Sequence, residues 1–329
     1  MDWNGILENS ASAAFGVDAV IYALAAIGLN VQFGYTGLLN FGQVGFAAMG
    51  AYGVAISVTY FGWSLWVGLL VGLAASVVLA LLLGFPTLRL RADYLAIVTI
   101  AASEIIRLVA RSASLNDYTG GSAGLSAFTD DFYALNPFSG GRHGLGPVQL
   151  STNDLWLVTV GWSVALLLTL LVWSLMRSPW GRVLKAIRED EDAARSLGKN
   201  AYWYKMQSLI LGGMMGAVAG FAFAIAKTSV QPDNYSTAFT FFAYAALILG
   251  GAASTWGPVV GAIMFWFLIA FTDSLLRQLV TNDNLPDAII SGTQVGQVRF
   301  MLVGVGLVLL MVFRPQGLFG DKAELALDE

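Results

Sequence analysis

Residues 177–205 read RSPWGRVLKAIREDEDAARSLGKNAYWYK, the one long polar stretch of the chain with a concentrated charge pattern. Seven of the seventeen Lys and Arg residues lie in it, beside four consecutive acids, Glu189 to Asp192. Ser178 before Pro179 suits a helix start, because the serine can cap and proline's missing donor costs nothing in a first turn. Gly198 fits a helix end. Between them Val183, Leu184, Ile187, Ala194 and Leu197 recur at roughly helical spacing, which predicts a short amphipathic helical segment with the charges on its other faces. Such a segment between apolar spans is either a surface that touches a partner in water or a solvated positive loop that only fixes topology. Charge alone favours the second.

The sequence around this stretch is overwhelmingly apolar. Of 329 residues 57% are hydrophobic and 12% charged, with a mean hydropathy of +0.69, whereas soluble domains carry about a quarter charged residues. That much apolar surface exceeds what one soluble core can bury, so a polytopic membrane protein is expected. A net charge of −4 and a pI near 5.0 leave no continuous basic patch once residues 177–205 lie at a membrane surface, so no nucleic-acid partner is expected. The absence of cysteine excludes disulfides, thiolate catalysis and cysteine-ligated metals, and one histidine, His143, cannot build a His-rich centre. MDWNGILENS places no basic residue before the first apolar run, so that run is expected to stay as a span.

Segments long enough, or nearly so, to cross a hydrocarbon core of about 30 Å fall at 17–33, 41–60, 64–84, 94–112, 155–176, 206–226, 237–250, 257–278 and 298–313. The expected fold is therefore all-α, a polytopic transmembrane helical bundle of about nine spans. With an odd count the ends lie on opposite sides. Placing 177–205 inside also places Arg89, Arg91, Arg314 and Lys322 inside, which puts the N-terminus out and the C-terminus in. The outer loops at 113–154 and about 279–297 then carry Asp117, Asp130, Asp131, Asp154, Asp283 and Asp287 against Arg142.

Glycines recur inside the spans. Gly212, Gly216 and Gly220 follow one another at four-residue spacing, as do Gly68 and Gly72, a pattern that lets helix backbones approach closely within or between subunits. Gly34, Gly37, Gly42 and Gly45, and again Gly250, Gly251, Gly257 and Gly261, read as interrupted helix ends. FGQVGFAAM at 41–49 and WGPVVGAIM at 256–264 share a weak likeness, either an internal repeat with irregular backbone lining a pathway or ordinary glycine packing.

Polar residues within spans are costly and tend to face a bundle interior or a wet cavity. Asn30, Gln32, Asn40 and Gln43 flank the first glycine cluster, and Thr99, Ser103, Glu104 and Arg107 share the fourth span. Glu104 is expected near mid-depth, paired with Arg107 one turn on, either lining a pathway or bracing the packing. Gly120-Gly121-Ser122-Ala123-Gly124 matches the GxSxG hydrolase pattern by letter, but no alternating strand precedes it and a glycine turn is the better reading. No GxxxxGK[ST] phosphate loop occurs, so any ATP must be bound by another chain.

Five blocks, in order, carry a resemblance: GLNVQFGYTGLLNFGQVGFAAMGAY at 28–52, GFPTLRLRADYLAIVTIAASEIIRL at 84–108, TGGSAGL at 119–125, GRVLKAIREDEDAARSLG at 181–198 and FRPQGLFG at 313–320. The chain resembles LivM-type permease subunits of ABC importers for branched-chain amino acids over most of its length. The resemblance implies that residues 1–329 form a single permease domain and that 177–205 is a cytoplasmic coupling segment docking an ATPase. The family's docking motif, EAA followed three residues later by Gly, corresponds to Asp192, Ala193, Ala194 and Gly198, with Asp for Glu and without the Ile-x-Leu-Pro ending of many permeases. Gly181, Arg188 and Glu189 belong to the same implied docking surface, and Asn40, Gln43, Glu104 and Arg107 are the pathway candidates.

The function so implied is transport across the cytoplasmic membrane without covalent chemistry or cofactor in this chain. The implied partners are two ABC ATPase subunits, a LivH-like second permease, an extracytoplasmic solute-binding protein and the membrane lipid. A urea or short-chain amide permease is the neighbouring alternative. A stand-alone secondary transporter or channel and a membrane hydrolase built on Ser122 are the alternatives from other classes.

Overall fold

The computed structural model describes residues 2–89, 92–138, 141–145, 148–281, 294–314 and 316–320. Arg91, Lys322, Asp283 and Asp287, used above for topology, and most of the loop at about 279–297 lie outside the described residues. Helices α1 (Trp3–Phe15), α2 (Val17–Leu29), α3 (Gln43–Thr59), α4 (Leu65–Thr87) and α5 (Ala92–Ala110) form the first half. Two short helices, α6 (Asn116–Thr119) and α7 (Asp130–Ala134), and strands β1 (Leu125–Ser126), β2 (Arg142–Leu145) and β3 (Val148–Ser151) fill the first long loop. Then follow α8 (Thr152–Arg177), α9 (Pro179–Glu189), α10 (Glu191–Ser196), α11 (Ala201–Lys227), β4 (Ser229–Val230), α12 (Thr237–Gly250), α13 (Gly257–Thr281) and α14 (Val295–Phe313).

Among the described residues six helices are long and apolar enough to cross a membrane: α2 with its continuation to Gly34, α4, α8, α11, α13 and α14. Two of the other expected spans coincide with the shorter apolar helices α3 and α12. The remaining one is α5, a 19-residue helix bearing Asp93, Glu104 and Arg107. The architecture is all-α, relieved among the described residues by two small antiparallel ladders. β1 pairs with β4, Leu125 opposite Val230, and β2 with β3, Arg142 opposite Ser151.

The first helix, α1, is absent from the sequence expectation. Its buried residues are only Ile6, Ser10 and Ala14, four apart, while Trp3, Leu7 and Phe15 are exposed, so no run of hydrophobics announces it. The Asp2 carboxylate caps it by accepting from Gly5 N at 3.1 Å, and Asp2 N donates to Gln278 Oε1 at 2.8 Å on α13.

At the centre α11 packs on α2 and α3 through small residues. A Cβ built on either Gly28 or Gly212 would stand 2.5 Å from the other's carbonyl oxygen, so the two backbones meet with no room for a side chain. Gly220 lies against the Ala47 backbone and Gly50 against that of Ala217. These glycine contacts are therefore within one chain. Gly68 and Gly72 of α4 likewise seat on the backbone of α3.

Two interruptions break the regular helices. After Leu29 the chain widens into a π-helical turn, Asn30–Gly34, and runs irregularly to Gly42, where α3 begins. After Gly250 it breaks again before α13. These are the two places where FGQVGFAAM and WGPVVGAIM resemble each other. Asn30 joins them: its Nδ2 donates to Ser254 O and its Oδ1 accepts from Ala253 N, both at 2.8 Å.

Candidate functional site

The polar arm between α8 and α11 is two helices, which corrects the single helical segment expected there. Ser178 Oγ accepts from Trp180 N at 3.2 Å and starts α9 with Pro179 in its first turn, as the sequence predicts. The chain then turns extended at Asp190, φ −151° and ψ 104°. The Asp190 carboxylate accepts from Asp192 N and Ala193 N at 2.9 Å each, so it caps a new helix whose first turn also carries Glu191 and Asp192. Three of the four consecutive acids, Asp190, Glu191 and Asp192, thus serve a helix start, where the dipole and free N–H groups favour them, while Glu189 ends α9.

The break divides the implied docking residues. Gly181, Arg188 and Ala194 turn toward the bundle. Gly181 lies against the Met176 backbone and Ala194 packs with Ile187 and Ala201. Arg188 Nη1 donates to Gly34 O at 2.7 Å, the last carbonyl of the π-helical turn. Glu189, Asp192, Ala193 and Gly198 are exposed, Asp192 with 92% of its side chain accessible. Leu197, expected on the inward stripe, is 81% exposed, because the break at Asp190 resets the helical phase. Gly198 has φ +77° and open space around it. The arm is tied back by Glu191, which pairs with both Arg195 and Lys205.

Asn40 and Gln43 lie in a sealed knot of side-chain amides. Asn40 Nδ2 donates to Gln32 Oε1 at 2.8 Å and to Gln43 Oε1 at 3.2 Å, and Asn40 Oδ1 accepts from Gly42 N at 2.9 Å. Gln32 Nε2 and Gln43 Nε2 donate to the carbonyls of Leu209 and Gly212 on α11 at 3.1 and 3.0 Å. Tyr244 and Thr240 of α12 and Thr99 of α5 bond the backbone of Asn40, Val44 and Phe41. Gln32, Asn40 and Gln43 have no solvent-accessible surface. The irregular backbone between α2 and α3 is satisfied by these amides, which is why it can be buried at all.

Glu104 and Arg107 pair as their spacing predicts, with both Glu104 oxygens engaged. Arg107 also reaches Asp233 at 2.8 Å, and Arg111 meets the same carboxylate at 3.2 Å. Asp233 sits in the turn Pro232–Tyr235 after α11, a contact no periodicity in the sequence could signal. Glu104 stands three residues past the middle of α5, about 4.5 Å, and six residues before its end. Its side chain is 38% exposed, on a helix that also exposes Ile97, Ile105 and Leu108. On the neighbouring side of α5, Ile106, Val109 and Ala110 border an apolar cavity of about 630 Å3 with Tyr52, Ile56 and Phe61. The Ser122 stretch next to it is a glycine turn, with Gly120, Gly121 and Gly124 all at positive φ, 71°, 53° and 78°.

Residues 13–293 match the family described as branched-chain amino acid transport system, permease component. The chain belongs to that family. Two relatives named high-affinity branched-chain amino acid transport system permease protein LivM, from Salmonella typhimurium and Escherichia coli, are each 31% identical over 91% of this chain and 68% of their own length. A probable branched-chain amino acid transport permease protein LivM from Methanocaldococcus jannaschii is 26% identical over 92% of this chain and 91% of its own. The permease is thus a multi-pass membrane transport subunit and not an enzyme. The glycine turn at Ser122 and the charged arm are features of that permease and need no hydrolase to explain them.

Proposed function

We propose that the permease carries branched-chain amino acids inward across the cytoplasmic membrane as the membrane half of an ATP-driven ABC importer. The relatives' names favour this substrate class over urea or short amides. Nine helices span, with the N-terminus outside and the α9–α10 arm and C-terminus inside, and residues 1–329 act as one domain. Its partners are two ATPases at the arm, a LivH-like second permease in the membrane, and a solute-binding protein at the outer face.

The observation that carries this reading is the exposed face of the arm. Asp192, Ala193, Leu197 and Gly198 point away from the bundle, while Arg188, on the inward side of the same arm, grips the π-helical turn at Gly34. Leu197, 81% exposed beside small and acidic residues, leaves that face of the arm open to a protein partner. On the α5 wall, the half-exposed Glu104 is poorly suited to lipid, which fits a route or a second subunit there. The charged cluster beside the apolar cavity matches a solute with a zwitterionic end and an aliphatic end. Asn40 and Gln43 serve the route indirectly, by holding the broken helix that borders it.

The test is labelled-leucine uptake with partners co-expressed and co-purified. Leu197→Glu should abolish ATPase co-purification and uptake while leaving the melting profile unchanged, since Leu197 packs on little within the chain. Unchanged uptake in that variant removes the docking role.

A further inference from the structure

A second apolar pocket, of about 300 Å3, lies between the Arg107–Asp233 cluster and the α9–α10 arm. Its α12 wall is Phe241, Tyr244, Ala245 and Ile248, spaced so that all four share one helix face. That face begins four residues into α12, about 6 Å from its start, and Asp233 stands in the turn just before that start. The floor is Phe33 and Phe41, from the broken stretch between α2 and α3. Phe33 adjoins Gly34, whose carbonyl Arg188 of α9 holds. The pocket therefore follows the charged cluster on a line from the turn before α12 toward the arm.

Its walls are fixed on the bundle side. Tyr244 Oη donates to Asn40 O at 2.9 Å, and Phe41 N donates to Thr99 Oγ1 of α5 at 3.1 Å. The Phe41 ring centre lies 4.7 Å from that of Tyr244 and 5.6 Å from that of Phe241, and Phe33 meets Tyr244 edge-on at 5.5 Å. Phe241 is 50% exposed and forms the open lip, whereas Tyr244 is buried. Lipid is a poor occupant, because Leu39 and Phe41, which line the pocket, sit on irregular backbone. Non-helical backbone at membrane depth persists only inside protein or beside a wet cavity. The site lies at that depth: Tyr244 is near the middle of α12, and Thr99 is seven residues, about 10 Å, into α5.

We propose that this pocket takes the branched aliphatic side chain of the transported amino acid and sets how large that side chain can be. The proposal rests on the import reading above. The charged cluster offers carboxylates and guanidiniums to the solute's two charged groups, but it cannot measure a side chain. The cavity beside α5, at about 630 Å3, is about twice as large and so discriminates less. A pocket at the small end of ligand sites, which run from about 300 to 1,000 Å3, and walled by pinned rings resists both a longer side chain and a loose fit. One methylene gained or lost in such a site changes the ratio of rates by about tenfold or more. Phe241 at the lip and Ala245 in the wall are the specificity-determining positions.

The experiment measures initial uptake of labelled alanine, leucine and phenylalanine by the assembled transporter in cells, as ratios within each variant so that expression level cancels. Phe241→Ala opens the lip and should raise phenylalanine against leucine by about tenfold. Ala245→Leu fills the wall and should lower leucine against alanine by a similar factor. Phe241 is half exposed, so its variant stands even if Ala245→Leu fails to fold. Ratios that stay unchanged, or all three solutes reduced in equal proportion, overturn the proposal and leave the pocket to lipid or to a second subunit. If the wild-type assembly takes up none of the three, the import reading itself falls, and this proposal with it.

Discussion

Two polar clusters sit inside this apolar bundle, and they differ in what they leave unsatisfied. The amide knot of Gln32, Asn40 and Gln43 is saturated by its own neighbours and shows no surface. The Glu104–Arg107–Asp233 cluster is only partly covered and stands on an exposed helix. Both would be marked by a search for polar residues within spans. Accessibility and saturation of hydrogen-bonding capacity separate a brace from a place where something can bind.

The contrast can be broken by substitution, beginning with the packing that surrounds the knot. Gly220→Leu drives a side chain into the Ala47 backbone and should cost more than about 3 kcal/mol, seen as loss of monodisperse protein in detergent. A wild-type melting profile there would remove the close-packing argument. Asn40→Leu strips acceptors from Gly42 N and a donor from Gln32 and Gln43, and should destabilise by about 2–3 kcal/mol in thermal melts. If it melts normally, the amides are no brace.

Smaller effects sharpen the comparison. Gly198→Ala forces a side chain into the left-handed region and should cost about 1–2 kcal/mol locally, whereas Gly198→Asn, which tolerates that region, should cost less. Uptake lost in the Asn variant with stability kept would place a partner on Gly198 itself. Glu104→Gln leaves Arg107 bonded to Asp233, so its melting point should shift by less than about 1 kcal/mol equivalent while leucine uptake falls. Normal uptake with lowered stability would assign α5 to bracing and make the two clusters alike.

Much of this architecture could be read from the chain alone, for identifiable reasons. Each expected apolar segment coincides with a helix, because hydrophobic length is a strong signal and boundaries such as Ser178-Pro179 carry their own capping chemistry. The pairing of Glu104 with Arg107 followed from three-residue spacing. What escaped depends on contacts distant in sequence. Asp233 joins Arg107 across 126 residues, and Asn30 meets Ser254 across 224. The α9–α10 break escaped because Asp190 reads equally well as a helix-surface acid and as a cap, and the choice inverted the placing of Leu197.

The π-helical turn between Asn30 and Gly34 has a mechanical consequence. Arg188 of α9 holds its last carbonyl, and Asn30 at its first residue holds the second interruption, after Gly250. Five residues thus form a tie rod pinned at both ends. A push on α9 has no slack in which to dissipate, so both interruptions must shift together or a pin must shear.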